Sequence, residues 1–462
     1  MEYREFRVVV KDLKNVMIIK PPNNENQDGK IRMDRLTEKT IDIFSEWLSR
    51  GDVSKPDELI VLGSNLYNLL FDEDLSKEFK REFDRIKGLQ SRSIRLRLVL
   101  EFKPEARDLA EMPWEYIYYP DTPTETGFFI ATESWLILAR HVPSKLDTLR
   151  RDEGKLRILI VVSTPQREEN GVELGPVAGK HAIDAIEKFQ RSLPNTITVE
   201  KSEQPDRHDL WEKVNTFRPH VLHFIGHGKY ETREGGSLSL VSSEDKEVVD
   251  WINDADLARL FSDYQPRLIF LHACEGAYTD SYNAFRGLAL QLVYAKVRAV
   301  IAMQYKVAND VANLFTKRFY ESLGQGKRID EAVQEGRREL ATFLNNDKSR
   351  FNGQAFGCPV VFIQDAEGII IANEQVEEDK QQVASPADEY PCFNCGEQVR
   401  ITQSFCFNCG KAVTSCPSCR HIIPKTATFC GDCGFNVKQG SARPKVEAAA
   451  PVAPSSALGP GR

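Results

Sequence analysis

Two residues of the chain, His227 and Cys274, are of the types that thiol chemistry requires. Each follows a short apolar run bounded by glycine and polar residues, at residues 221–225 before His227 and at 268–271 before Cys274. Such runs are typical of strands buried in a parallel sheet, and functional groups collect beyond the carboxyl ends of those strands. An imidazole placed there can take the proton of a thiol, and the thiolate is then the nucleophile. The pattern therefore predicts a cysteine peptidase.

The other candidate residues of this region are predicted to be structural. His223 lies inside the first apolar run, and we expect a core histidine that hydrogen-bonds to the backbone. His272 stands at the edge of the second run and is expected to be structural or to contact the catalytic residues. Cys358, beside a proline and a β-branched run, is predicted to be a small buried apolar side chain. The polar stretch 165–175 is either an ordinary surface loop or a specificity or autoprocessing loop.

Strand and helix patterns alternate through residues 151–372, which predicts an α/β catalytic domain. The expected fold is a doubly wound α/β sheet of parallel strands, with right-handed crossovers and helices on both faces. We expect a polar loop between the His227 strand and a helix at 257–261. Residues 1–150 carry no visible chemistry and are predicted to be an α+β scaffold or pseudo-catalytic subdomain. Its strand at 94–100 alternates apolar and mostly polar residues, which is typical of a half-buried strand. A core anchor is favoured over a ligand platform for Trp114.

Eight cysteines near the C-terminus form two sets with the same internal spacing, two Cys-x-x-Cys pairs in each. The first set is repeated 24 positions further on, so the eight are Cys392, Cys395, Cys406, Cys409, Cys416, Cys419, Cys430 and Cys433. Four thiolates in paired turns are the ligands of tetrahedral structural zinc, and a closed site of this kind leaves no position open for catalysis. The sequence predicts two structural zinc ions and no catalytic cofactor. Each half has roughly 20 residues and little core, so metal binding must supply most of its folding energy.

The segment 390–437 is similar to a double zinc ribbon, and its neighbours differ from it in composition. An acidic stretch, 373–389, precedes it and is predicted to be a linker. The end, 438–462, is rich in alanine, proline, serine and glycine, and is predicted to be a disordered tail.

Residues 273–276, Ala-Cys-Glu-Gly, resemble the caspase signature, in which a histidine stands about 50 residues upstream of the cysteine. Here His227 and Gly228 resemble that His-Gly pair, and 47 positions separate His227 from Cys274. Within the caspase-like clan the chain is identified as a member of the CHAT family, whose relatives include separase. Further segments resemble the CHAT pattern, so that most of residues 60–370 are covered: 62–71, 113–115, 297–310 and 319–337.

The resemblance implies that residues 151–372 are a caspase-like catalytic domain, and it implies roles for three residues. His227 would be the general base and Cys274 the nucleophile, while backbone N–H groups of Gly228 and Cys274 would hold the oxyanion. His272 stands where caspases carry glutamine, so their preference for aspartate is not expected here.

The charge, the apolar runs and the cysteine spacing of the chain together predict an intracellular protein. The net charge of -7 and the pI near 5.8 argue against a general nucleic-acid coat. The first residues lack an apolar signal region, and no run of 18 apolar residues occurs, so we expect neither export nor a membrane span. Cysteines in metal-binding spacing suit a reducing compartment, so a cytoplasmic location is expected.

Two functions remain open. One is an endopeptidase that cleaves a specific protein, with an activating protein partner, in the bacterial signalling or defence roles that the resemblance implies. The other is a catalytically silent adaptor that binds protein or nucleic acid. Weak nucleic-acid contact through the ribbons is considered because they carry several cations: Arg400, Lys411, Arg420, Lys425 and Lys438. Aromatic side chains on which bases could stack are few in this segment.

Overall fold

The structure is a computed structural model that falls into two compact units, residues 1–374 and 375–462. It describes residues 2–20, 25–53, 55–89, 94–121, 126–142, 155–177, 179–231, 235–272, 281–294, 297–305, 309–346, 353–364, 389–396, 398–400, 406, 409, 411–416, 419, 421–431, 433 and 435–437. Four predictions fall outside these residues: Cys274 with its neighbours, the linker apart from its last residue, the ribbon cation Arg420, and the tail.

The first unit contains both strands and helices. Its strands are β1 (Glu2–Val10), β2 (Asn15–Lys20), β3 (Glu25–Lys30), β4 (Ile94–Phe102), β5 (Tyr118–Tyr119), β6 (Phe128–Phe129), β7 (Leu136–His141), β8 (Leu156–Ser163), β9 (Ile197–Glu203), β10 (Val221–Gly226), β11 (Gly228–Glu231), β12 (Gly235–Val241), β13 (Val249–Asn253), β14 (Leu268–His272), β15 (Ala299–Met303) and β16 (Pro359–Ile363). Its helices are α1 (Arg35–Arg50), α2 (Pro56–Leu70), α3 (Glu73–Gly88), α4 (Arg107–Ala110), α5 (Lys180–Ser192), α6 (Arg207–Phe217), α7 (Asp254–Leu260), α8 (Ser281–Tyr294), α9 (Asn309–Gly324) and α10 (Ile329–Asn346).

One sheet of eleven strands forms the centre of this unit, in the order β3-β2-β1-β4-β7-β16-β15-β14-β10-β8-β9. Strands from both sides of residue 150 join it. The predicted α/β fold is confirmed, but the expectation of parallel strands is wrong at one central place, since β15 and β16 are antiparallel. Two helices in succession, α9 and α10, pack on each other between these strands. A down-and-up helix pair returns the chain to the end of the sheet that it left, so the next strand must run backwards.

The predicted polar loop after the His227 strand is also wrong. The chain forms a separate antiparallel sheet, in the order β11-β12-β13, before it enters α7. Its middle strand begins with two glycines, which weaken a strand pattern, and the alternation of serine and leucine that follows them is short. Pairing with both neighbours, rather than propensity, therefore defines this strand.

Strand β4 is buried on both faces, so the half-buried prediction is wrong. Arg97 and Glu101 are only 4% and 5% exposed. Arg97 pairs with Asp330 of α10, while a Glu101 oxygen lies 2.8 Å from Arg7 of the neighbouring strand. Ion pairing offsets part of the cost of removing these charges from water. The face of β4 for which the alternating pattern predicts exposure to solvent is therefore buried, with partners from α10 and from β1.

The 3₁₀ turn Trp114–Tyr116 places one carboxylate, Glu115, in the centre of the unit. Trp114 is the predicted core anchor: it is fully buried, and its indole N–H donates to the carbonyl of Leu109 at 2.6 Å. The Glu115 carboxylate accepts from Arg140 Nε at 3.1 Å and also from Arg140 Nη2, and it lies 3.2 Å from Arg337 Nη2. Burial by itself raises the pKa of Glu115, but the two guanidiniums outweigh it and hold that pKa below its usual value.

The two arginines also donate to backbone carbonyls. Arg140, on β7, donates to the carbonyl of Ala110 at 2.7 Å. Arg337, on α10, donates to Leu138 at 3.1 Å and to Pro359 through Nε at 3.0 Å and Nη2 at 2.7 Å. The ionic centre thus connects the turn at 114–116, β7, α10 and the start of β16.

Glu115→Ala should destabilise the first unit by about 3 to 5 kcal/mol, because it leaves two buried guanidiniums without a counter-charge. Urea denaturation followed by circular dichroism measures this free energy of unfolding. Glu46→Ala is the matched control, since Glu46 pairs with Arg50 on the exposed surface of α1, where loss of a pair costs less than about 1 kcal/mol. Equal effects of the two substitutions would contradict a structural role for the buried centre.

Candidate functional site

His227 lies directly between β10 and β11, and its backbone is fixed by one residue. Its N–H donates to Ser239 Oγ at 3.0 Å, and its carbonyl accepts from the N–H of Ser239 at 3.0 Å. Ser239, on β12, is fully buried, and its hydroxyl lies 3.5 Å from the carbonyl of Ser163 at the end of β8. Sequence reasoning missed Ser239. Its only signal is the Leu-Ser alternation of β12, which does not indicate a partner.

The side chain of His227 is fully buried, and neither ring nitrogen has a hydrogen-bond partner within the described residues. Burial lowers the pKa of His227 to about 4, so the ring is neutral at pH 7. A buried polar group without a partner costs stability, and in a native protein it calls for an explanation. A neutral imidazole with both nitrogens available is able to accept a proton from a nearby acid.

The strand that precedes Cys274 lies beside the strand that precedes His227. β10 and β14 pair in parallel, with Ile225 opposite His272. His227 follows Ile225 by two residues, and in the sequence Cys274 follows His272 by the same number. The structure does not describe Cys274 itself, so the predicted dyad stays a prediction, as does the oxyanion role of Gly228, which opens β11 opposite Leu238.

Two further histidines lie on the same side of these strands, against α9. His223 is fully buried as predicted, but its Nδ1 pairs with the Tyr320 hydroxyl at 3.0 Å rather than with backbone. His272 Nδ1 lies 3.5 Å from the hydroxyl of Thr316. Burial lowers the pKa of His223 well below its usual value and that of His272 to about 4. Thr316 and Tyr320 were missed by sequence reasoning, although their spacing of four places them on one face of α9.

The remaining candidates of this unit are structural or tied to the small sheet. Cys358 is fully buried, and its thiol lies 3.6 Å from the Gln354 carbonyl. Burial raises the pKa of this thiol well above its usual value, which makes it unreactive and confirms the structural prediction. In the stretch 165–175, Arg167 pairs with Asp245 at 2.7 Å and with Glu247, which anchors the stretch to the turn between β12 and β13. A specificity role for it stays a prediction.

The eight C-terminal cysteines come together as two separate clusters of four. Within each cluster the sulfur atoms all lie within 4.8 Å of one another. In the first cluster the sulfur atoms of Cys392 and Cys409 are 3.8 Å apart and those of Cys395 and Cys406 3.4 Å apart. In the second, Cys416 and Cys433, like Cys419 and Cys430, are 3.6 Å apart. Tetrahedral Zn–S bonds of about 2.3 Å require sulfur atoms about 3.8 Å apart. Both donor sets therefore fit a tetrahedral metal ion.

Short strands frame the two clusters: β17 (Glu389–Pro391), β18 (Gln398–Arg400), β19 (Val413–Ser415) and β20 (Ile422–Pro424). The strands pair as two hairpins, β17 with β18 and β19 with β20. A few apolar residues pack beside the sulfurs, among them Val399, Val413 and Ile422 at the first cluster and Ile423 at the second. This apolar core is small, which agrees with folding energy that comes largely from a bound metal.

Comparisons with known families identify two parts of the chain. Residues 61–366 match the family model of the CHAT domain, and residues 392–434 match that of the double zinc ribbon. No curated protein sequence matches the chain. None of the helices in the described part is both long and apolar enough to cross a membrane.

Several solved structures of cysteine proteases are similar in outline. The Arg-specific cysteine proteinase gingipain R has a TM-score of 0.40 and 10% identity, with 80% of each chain covered. The separase–securin complex of Saccharomyces cerevisiae has a TM-score of 0.40 and 9% identity, covering 78% of this chain and 30% of that one. The Drosophila initiator caspase Dronc has a TM-score of 0.28 and 5% identity, covering 46% and 82%. Because these TM-scores are low, the family assignment rests on the sequence models.

The three buried histidines should make the stability of the fold sensitive to mild acid. Each binds a proton more weakly in the folded chain than in the unfolded chain, where the pKa is about 6.5, so the free energy of unfolding should fall as the pH drops from 6.5 towards 4. Between about pH 6.5 and pH 5, before most carboxylates titrate, His227 and His272 should each contribute a loss on the order of 2 kcal/mol. Urea denaturation across that range measures it.

His272→Asn should reduce this pH dependence, because it removes one of the buried groups that titrate. His208→Asn, on the exposed surface of α6, is the control and should leave the dependence unchanged. A free energy of unfolding that stays constant from pH 7 to pH 5 would show that these histidines are not held neutral by the fold.

Proposed function

Because the chain belongs to the CHAT domain family, we propose that it is a cysteine endopeptidase that cleaves a specific protein substrate. The observation that carries this proposal is the position of His227 and its unpaired ring nitrogens within the described residues. His227 is held by Ser239 just beyond the carboxyl end of β10. Neither ring nitrogen of His227 has a described partner, whereas His223 lies inside β10 and uses its Nδ1 on the Tyr320 hydroxyl. A general base needs a nitrogen free for the proton that it accepts.

In the proposed mechanism His227 takes the proton of Cys274, and the thiolate attacks the scissile carbonyl. Backbone N–H groups of Gly228 and Cys274 hold the oxyanion, and His227 then returns its proton to the leaving amine. Water hydrolyses the thioester with His227 again acting as base. The parallel pairing of Ile225 with His272 supports this assignment, because His227 and Cys274 each follow that pair by two residues.

The burial of His227 supports an activation step before catalysis. An imidazole with a pKa of about 4 is a weak base, and it takes up a thiol proton only if the negative thiolate stabilises the resulting imidazolium. Its full burial also requires that something open the site before a peptide can reach it. We assign this step to a protein partner, in a bacterial signalling or defence pathway.

The same burial favours a second candidate function, a silent adaptor. If the site never opens, the α/β unit and the ribbons act only as binding surfaces for protein, with weak nucleic-acid contact through the ribbon cations. In both cases we propose that two zinc ions hold the ribbons, one on each set of four cysteines, and that neither takes part in catalysis.

Cleavage of a diverse peptide library should be lost in Cys274→Ala and in His227→Ala, because one lacks the nucleophile and the other its base. A drop in kcat of at least about a thousandfold is expected for each. Cys358→Ala is the matched control and should cleave as the wild type does, since its thiol is buried and unreactive. Cleavage that survives in Cys274→Ala would exclude it as the nucleophile. Absence of cleavage by all four proteins, with cell extract from the source supplied as activator, would favour the adaptor.

Elemental analysis of the purified chain should find two zinc ions, since two separate donor sets are present. Cys416→Ser should retain one, because it disables only the second set. Cys358→Ser should retain both and serves as the control for loss of a cysteine as such. A zinc content of one in the wild type would mean that one of the clusters is not a zinc site.

A further inference from the structure

The hairpin formed by β19 and β20 takes part in both cysteine clusters. We propose that this hairpin couples the two metal sites, so that a zinc ion in one cluster strengthens the binding of zinc in the other. The two clusters then load together rather than one after the other. This inference rests on the zinc ions proposed above, and it does not depend on the peptidase activity.

One face of the hairpin completes the core of the first cluster. Val413 of β19 and Ile422 of β20 are almost fully buried, and they pack in one core with Cys392 and Cys406. Ile422 lies opposite Ser415, which follows Val413 by two residues, so both apolar side chains are on the same face of the hairpin. The hairpin thus supplies two of the three buried side chains described for this core that are not cysteines.

The other face of the hairpin and its connecting turn are part of the second cluster. Ile423 is next to Ile422 in β20 and therefore points to the opposite face, where it packs beside Cys416. Two ligands of the second cluster, Cys416 and Cys419, stand in the connection between the two strands. The N–H of Cys416 donates to the carbonyl of His421 at 2.9 Å, which closes this connection. A movement of the hairpin at one cluster therefore moves residues of the other.

A ring contact joins the two ribbons outside the hairpin strands. Tyr390, on β17, packs beside the core of the first cluster. Its ring centroid lies 5.5 Å from that of His421, which follows the second-cluster ligand Cys419 by two residues. The connection that holds ligands of the second cluster is thus also in contact with the first ribbon.

Coupling follows because little other structure holds the hairpin in place. Its two strands have three residues each, and an isolated two-stranded hairpin is marginally stable at best in water. A zinc ion in the second cluster fixes the end of the hairpin at Cys416, and this presents Val413 and Ile422 to the first core. The entropy of ordering the hairpin is lost once, when the first ion binds, and the second ion binds without that cost.

Charge alone predicts a coupling of the opposite sign. Four thiolates around one Zn²⁺ leave a net negative charge on each site, and two such sites repel each other, which favours chains that hold a single ion. Cys395 and Cys433 are exposed to solvent, so water and salt screen this repulsion. The sign of the coupling therefore distinguishes shared packing from charge.

Native mass spectrometry of the full chain tests the proposal. The chain is stripped of metal under reducing conditions and given one equivalent of zinc, and the ions in each molecule are counted. Independent sites, equal or unequal, leave at least about half of the chains with a single ion at this loading, whereas coupling on the order of tenfold leaves about a quarter. We expect the smaller fraction. A single-ion fraction of about half or more in the wild type would overturn the proposal.

Val413→Ala and Val399→Ala form a matched pair of variants. Both valines are 1% exposed in the core of the first cluster, but Val413 stands on the shared hairpin and Val399 on β18. Both substitutions should weaken the first site. Val413→Ala should raise the single-ion fraction more than Val399→Ala does, because only Val413 carries a contact of the hairpin to that core. Equal single-ion fractions in the two variants would exclude the hairpin as the coupling element.

Excess zinc separates this proposal from the assignment of the zinc sites. Fewer than two ions in the wild type at excess zinc would overturn both. Two ions at excess zinc, reached through a majority of single-ion chains, would overturn the coupling alone. Coupling does not abolish binding at a lone site, so Cys416→Ser keeps its one ion but should release it to a chelator about tenfold more readily than the loaded wild type. Equal release by the two proteins would count against the coupling.

Discussion

The buried carboxylate of Glu115, between the guanidiniums of Arg140 and Arg337, is the interaction on which the first unit depends. Three charges removed from solvent are stable only when they are paired and hydrogen-bonded, and here the arginines also donate to carbonyls of neighbouring elements. Burial lowers the pKa of Arg337 to about 10, which still leaves it charged at neutral pH. The centre therefore sets the position of α10 against β7 and β16.

That position has consequences for the histidines. α10 packs on α9, and α9 presents Tyr320 to His223 and Thr316 to His272. The charged centre and the predicted catalytic edge are thus connected through a helix pair rather than through direct contact. α10 also carries Glu335 and Arg338, which line a polar cavity beside Arg95 of β4.

The C-terminal unit depends on a different kind of interaction. Its apolar clusters contain only a few residues beside the cysteines, too few for a stable core of their own. Four thiolates around one ion replace such a core, since metal binding and folding become one event. Stability of this unit should follow metal supply, whereas stability of the first unit should follow pH through its buried histidines.

The sequence by itself determined the features that short-range patterns encode. The apolar runs at residues 221–225 and 268–271 predicted neighbouring strands of an α/β sheet, and the observed pairing of Ile225 with His272 agrees with this. The repeat of eight cysteines predicted two clusters of four, because metal ligands at fixed spacing leave few alternatives. The catalytic pairing with Cys274 remains a prediction from sequence.

Only the tertiary structure decided which groups lie far from water and what they meet there. The alternation in β4 indicated an exposed face, yet Arg97 is buried because α10 brings Asp330 to it. Ser239, Tyr320 and Thr316 are ordinary residues in the sequence, and contacts across long stretches of chain bring them to the histidines. The antiparallel direction of β16 relative to β15 follows from two successive helices that pack as a pair. Local patterns carry no information on such contacts, because their energy belongs to pairs of distant residues and not to either segment alone.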